Sequence, residues 1–196
     1  MSIVQRAKDI LFKPRETWVA IKDEQTGIKE LYTSYAVILA AIPPIATFIG
    51  LSLLGYSFFG FSYRVSFGWG ISNAIVTYIL SLVGIYVVAL IIDALAPNFG
   101  SQKNPVQAMK VAVYSLTPSW IAGILMIIPA LAPIAMVLSL YSFYLYYVGL
   151  PILMETPQDK VLGYVIVTIL VSIVVFIVIS VISNTFFGIS GMGRIM

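Results

Sequence analysis

The chain has 196 residues, of which 60% are hydrophobic and 10% charged, with net charge +3 and mean hydropathy +1.01. Ordinary soluble domains carry about 25% charged residues, so most of this chain has the bilayer as its solvent, and its class is an integral membrane protein. Cysteine and histidine are absent, which excludes disulfides, thiolate nucleophiles, histidine bases and Cys/His zinc sites; no metal or cofactor is expected, and the small, scattered charge leaves no case for nucleic acid.

Two short helices are predicted ahead of the first apolar stretch. In "SIVQRAKDILFKP", Ile3, Val4, Ala7, Ile10 and Leu11 fall on one side and Gln5, Arg6, Lys8 and Asp9 on the other, which is an amphipathic pattern. Pro14 suits the first turn of a second helix and Glu16 its N-terminal end. Residues 1–30 thus form a cytoplasmic segment that is expected to lie on the membrane surface, with Trp18 at headgroup depth and Arg6, Lys8, Lys13 and Arg15 towards anionic lipid. The alternative is that these helices pack against the ends of the spans, and the two placements are compatible.

A spanning helix needs roughly 20 apolar residues, and five stretches within residues 31–196 qualify: 31–54, 69–95, 106–128, 131–154 and 161–187. The predicted architecture is therefore an all-α, polytopic bundle of five transmembrane helices. "PALAP" leaves room only for a tight turn between the third and fourth. Each of those arms is long enough to cross, so a full hairpin is expected rather than a re-entrant pair. With the N-terminus inside, only Arg64 and Arg194 of the 11 Lys and Arg residues fall on the outer side, so the positive-inside rule predicts N-in, C-out in the cell membrane.

Charges inside a span are expensive, at least about 2.5 kcal/mol at the centre, which singles out Asp93 in "ALIIDALAPNFG". Near the inner end of the second span, it is expected to anchor a helix end, with Lys103 or Lys110 as basic partners; ion or proton coupling is the sharper alternative. Asn73, Thr77, Ser81 and Gly84 share one side of that span, a spacing that suits close helix packing. Pro118, inside "YSLTPSWIAG", deletes a backbone hydrogen bond and predicts a kink near Tyr114 to Thr117. The hydroxyls of Ser115 and Thr117 are expected to serve the freed carbonyls, and the double proline at Pro43 and Pro44 is expected to fill the gap. Tyr141, Tyr144, Tyr146 and Tyr147 crowd the later half of the fourth span as an aromatic belt or the lining of a cavity.

In order and spacing, "PRETW", "LAPNFGSQKNPVQAMKVAVYSLTPSW", "IIPALAP" and "LYSFYLYYVGLPILMETPQDKVLGYVIV" resemble the Yip family of membrane proteins, the Ypt/Rab-interacting group with prokaryotic relatives. The resemblance runs from Pro14 to about Val175. It implies a five-span bundle with a cytoplasmic N-terminus and, in eukaryotic members, a role in vesicle traffic through prenylated Rab GTPases. This chain has only about 30 residues before its first span, a departure that resembles the prokaryotic branch and argues against GTPase binding. Pro14, Trp18, Tyr114, Pro118, Tyr144, Gly149 and Pro151 match the recurring pattern in roles that look structural.

The function expected from these observations is non-enzymatic: contacts with membrane lipids, with other membrane proteins or with further copies of itself. The alternative is a small transporter or channel whose polar route uses Asp93, Asn73, Tyr114 and Tyr144 around the Pro118 kink.

Overall fold

The computed structural model describes residues 2–58 and 61–188; Arg194, counted above among the outer charges, lies outside the described residues. Helices α1 (Ile3–Phe12) and α2 (Pro14–Asp23) form a hairpin. Ser2 caps α1, its side chain accepting from the Gln5 N–H at 3.2 Å, and Pro14 opens α2, where a missing N–H costs nothing.

Five apolar helical spans follow: Ile28–Leu54, Phe67–Phe99, Pro105–Ile127, Pro129–Leu153 and Gln158–Val175, the fifth helix continuing to Gly188. They differ in where they sit. In its most apolar window the third span is 61% buried, against at most 33% in the others; it is the axis of the bundle, and the remaining spans face lipid along much of their length. Between the first and second spans lies a two-stranded antiparallel hairpin, β1 (Tyr56–Phe58) with β2 (Phe61–Tyr63). Just beyond it, Arg64 donates to the carbonyls of Ser52 and Leu53 at 2.9 and 3.0 Å, so this loop cation caps the C-terminal end of the first span.

Two of the spans are broken at prolines or π-turns. The first loosens into π-turns at Tyr32–Ala36 and Ile49–Leu54 and bends ahead of Pro43. The third consists of Pro105–Ser115 and Thr117–Ala122 with a break at Leu116, followed by a tighter 3-10 stretch from Gly123 to Ile127. The break falls where Pro118 withdraws its donor, but the nearby hydroxyls do not serve the freed carbonyls as expected. Thr117 Oγ1 instead shares a 2.9 Å hydrogen bond with the Tyr35 hydroxyl, and Ser115 Oγ has no partner. The double-proline bend packs five residues further along: a Cβ on Gly123 would lie 2.6 Å from Pro43 Cγ, so only glycine admits that ring.

The α1–α2 hairpin does not stop at the ends of the spans. The Tyr141 hydroxyl donates to the Leu11 carbonyl at 2.9 Å, and Leu11 and Phe12 border a groove of about 430 Å³ with Pro118, Ile121, Leu125 and Leu138. The hairpin therefore lies along the flank of the bundle, its tip beside Pro118 and Tyr141.

Candidate functional site: the clamp on the N-terminal hairpin

Trp18 is fully buried, as are Ile10 and Ile21 on the same side of the hairpin. This corrects the placement of Trp18 at headgroup depth. Its indole lies on Gly149 of the fourth span, where a Cβ would fall 2.5 Å from Trp18 Cε2, and it meets the Tyr114 ring edge-on at 6.2 Å. Tyr35 packs on the other side of Tyr114 at 4.8 Å. The missing side chain at position 149 makes the notch, and the two tyrosines form its wall.

Arg6 is likewise not a surface cation. It is buried, its guanidinium lies 5.8 Å from the centre of the Tyr114 ring, and it is paired with Glu24 just beyond α2. Burying a charge is tolerated when a partner neutralises it, and here the partner is 18 residues away in sequence. Lys8, Lys13 and Arg15 remain exposed.

A second set of contacts holds the far end of α2. Lys110, buried inside the third span, donates through Nζ to the carbonyls of Ile21 and Glu24 at 2.8 and 2.6 Å. Gln107, one turn earlier, donates through Nε2 to the Lys22 carbonyl at 3.1 Å. A helix C-terminus presents unsatisfied carbonyls and a partial negative charge, and a buried ammonium answers both. Lys110 is therefore not the basic partner of Asp93 that the sequence suggested. Asp93 is half-buried, and its Oδ1 has no hydrogen-bond partner.

Lys22 completes the clamp through a 2.7 Å ion pair with Glu155, which stands at φ 54° in the left-handed region that side chains disfavour. The Lys22 hydrogen bond, then its charge, holds the Glu155 carboxyl below its ordinary 4.5. A carboxyl lowered in the folded state stabilises it above the unfolded value and loses that contribution as pH falls through the folded one. The α2 contact should accordingly persist above pH 4.5 and loosen below it. With no native cysteine to interfere, spin labels at Ala20→Cys and Leu162→Cys should report a longer or broader distance at pH 3 than at pH 6, and Glu155→Gln should remove the difference; a pH response that survives Glu155→Gln would refute this.

The other sequence candidates do not gather around this clamp or around one route. Asn73 and Asp93 belong to the same helix, twenty residues apart, which is about 30 Å along its axis. Thr77 is exposed, and Ser81 bonds back to the Tyr78 carbonyl at 2.7 Å. Tyr144 is exposed and stacks on Tyr141 with ring centres 5.2 Å apart, while Pro118 borders the groove beside Phe12. Of that set, Tyr114 touches both Arg6 and Trp18. Glu24, Tyr35 and the capping role of Lys110 escaped sequence reasoning. A lysine five residues into an apolar span was the available signal, since such a charge requires a buried acceptor.

The chemistry of the clamp is structural. It contains no nucleophile adjacent to a base, and no group of Asp and Glu residues suited to a metal occurs among the described residues. What it does is fix an amphipathic hairpin rigidly against a membrane bundle.

Comparison with known proteins gives the same plan a lineage. A relative named inner membrane protein YohC, from Escherichia coli K12, is 27% identical over 178 residues, covering 89% of this chain and 91% of its own length. The protein of that name from Escherichia coli O6:H1 matches to the same extent. No solved structure matches. The Yip1 domain model matches residues 8–179, a stretch that takes in the hairpin from Lys8 onward and all five spans, and the chain belongs to the Yip1 domain family.

Proposed function

We propose that this is a non-enzymatic protein of the inner membrane, N-terminus cytoplasmic and C-terminus outside, that works through contacts between its clamped hairpin and anionic lipid. The observation that carries this reading is the outward side of the hairpin. Phe12 is 81% exposed, and Val4, Lys8 and Phe12 recur every fourth residue along one stripe of α1. Val19 extends the apolar surface onto α2. Lys13 and Arg15 flank the tip, and among the described residues none of Lys8, Lys13 and Arg15 has an acidic partner. An apolar stripe edged with unpaired cations suits the boundary between acyl chains and phosphate headgroups. Because the clamp holds the hairpin fast, lipid bound there is fixed relative to the spans, which suits a protein that organises its surrounding membrane. The relatives' name, inner membrane protein, supports the location.

The test is native mass spectrometry of the gently extracted protein, recording subunit number and every retained mass. Phosphatidylglycerol should be retained in preference to phosphatidylcholine. Each surface cation contributes about 1 kcal/mol to anionic-lipid attraction, so the triple variant Lys8→Gln, Lys13→Gln, Arg15→Gln should bind it roughly 100-fold more weakly. Equal retention by the triple variant, or no preference for the anionic lipid, would sink the proposal.

A further inference from the structure

A second cavity, about 300 Å³ in volume, lies inside the bundle between the second, third, fourth and fifth spans. Its walls are largely aliphatic and aromatic, yet they carry four buried hydroxyls: Ser115 and Ser172 have no partner, and Tyr146 and Thr168 face only each other, short of good hydrogen-bond geometry. Ser115, Tyr146 and Thr168 are only 5%, 6% and 2% exposed. The pattern is unusual, because nearby hydroxyls elsewhere in the bundle do find partners; Ser142, on the same wall, bonds to Ser119 at 2.8 Å. Ser115 is available to this cavity because the break at Leu116 ends its helix there.

Neither an empty nor a water-filled cavity satisfies these walls. Buried hydroxyls are normally hydrogen-bonded. Water takes about 30 Å³ per molecule and needs two to four polar partners each, so a full complement would number about ten, far more than four hydroxyls can hold against otherwise apolar walls. An acyl chain would fill the space and leave Ser115 and Ser172 unpaired. The occupant that answers both is an apolar body carrying one or two oxygen atoms. It is also neutral, since among the described residues no Asp, Glu, Lys or Arg lines the cavity.

Position narrows the source. Every lining residue belongs to one of the apolar spans rather than to a connecting loop. Phe143 and Ile173 on the rim are exposed on the lipid-facing side of their helices, so entry is lateral, from the bilayer interior. We propose that this cavity binds a neutral, hydrocarbon-soluble molecule through a carbonyl or hydroxyl oxygen, with Ser115, Tyr146, Thr168 and Ser172 as its hydrogen-bonding partners. The chemistry is shared by the ring carbonyls of a lipid quinone and by the free hydroxyl and esters of a diacylglycerol. It is independent of the anionic-lipid reading, which concerns charged headgroups on the hairpin.

The experiment uses the full chain in detergent, titrated with decylubiquinone, dioctanoylglycerol or hexadecane and read by native mass spectrometry. The wild type should retain one oxygen-bearing probe per chain and no hexadecane. The double variant Thr168→Val, Ser172→Ala keeps shape closely while deleting two hydroxyls, and should bind that probe about tenfold more weakly. Its thermal midpoint should stay close to that of the wild type, because Ser172 has no partner to lose and Thr168 only its neighbour Tyr146; this separates lost binding from lost folding. Retention of decylubiquinone alone assigns a quinone-type ligand, retention of dioctanoylglycerol alone an acylglycerol, and retention of both the shared chemistry. Retention of neither, equal retention of hexadecane, or undiminished binding by the double variant overturns the proposal. Phosphatidylglycerol retention, measured in parallel, should be unchanged in the double variant, so failure here is distinguishable from failure of the hairpin reading.

Discussion

Gly149→Val should expel Trp18 from the bundle and release the N-terminal hairpin. A single Cβ at position 149 would already stand 2.5 and 2.6 Å from Trp18 Cε2 and Cζ2, inside any tolerable carbon–carbon contact. The indole has nowhere to retreat, because Tyr114 closes the notch from the side and Tyr35 backs Tyr114. Gly149→Ala should cost about 1–3 kcal/mol, the usual range for overpacking. The two added methyls of valine exceed what a shift of the ring can absorb, so the hairpin undocks. Three readouts follow: a red shift in tryptophan emission, faster tryptic cleavage at Arg15 and Lys22, and membrane insertion unchanged because the five spans are untouched. Trp18→Ala removes the same contact from the other side and should cost about 3–5 kcal/mol. The pair tests itself: Trp18→Leu should be less damaging in a Gly149→Ala background than alone, since the smaller side chain makes room for the methyl, and contacting residues show coupling of about 0.5–3 kcal/mol. Wild-type protease resistance in Gly149→Val would disprove the clamp.

Much of the architecture was readable because it follows from local chemistry. Apolar runs of spanning length and the proline at position 118 act within a few residues of themselves, and both spans and break are found near where hydropathy and donor loss place them. The clamp was not readable in the same way. The stripe Ile3–Ala7–Ile10 says that α1 has an apolar face, but an apolar face covers lipid or protein equally well by composition. What decides for protein is Gly149, whose significance lies in the absence of a side chain 131 positions after Trp18. Arg6 is the sharper example. By sequence it is one more cation on the polar side of an amphipathic helix, and it is buried because Glu24, Tyr114 and the fold around them bring a neutralising partner and a ring face to it. Lys110 shows how a correct alarm can lead to the wrong partner: a lysine in a span needs an acceptor, and the nearest acid by reasoning along the spans was Asp93. The acceptors are instead backbone carbonyls at the end of α2, which carry no sequence signature. The buried hydroxyls around the inner cavity are equally silent, since serine and threonine in a span read as packing residues until their partners are counted.

Lys110→Met should destabilise the docked hairpin by about 3 kcal/mol although it removes a buried charge. Two effects oppose each other. Methionine matches the length of the lysine stem and relieves the desolvation of an ammonium, which taken alone is stabilising. It also leaves the carbonyls of Ile21 and Glu24 without their donor at 2.8 and 2.6 Å. Hydrogen bonds to charged groups contribute about 1.5–3 kcal/mol, and a buried acceptor left unsatisfied costs about 1–3 kcal/mol. Two such acceptors at a helix C-terminus, where the partial negative charge is concentrated, outweigh the relief. Gln107→Ala, which loses one neutral contact to the Lys22 carbonyl, should cost only about 1 kcal/mol. The order matters more than either value. If Lys110 were retained as an ordinary interfacial cation, Met would be neutral or stabilising and Gln107→Ala the worse change. If it caps α2, Met is the worse, amides of Ile21 to Gly27 exchange faster in Lys110→Met than in the wild type, and exchange in the second and fifth spans stays as it was. Unchanged exchange at the end of α2 would mean that the hairpin is held by Trp18 and Arg6 alone.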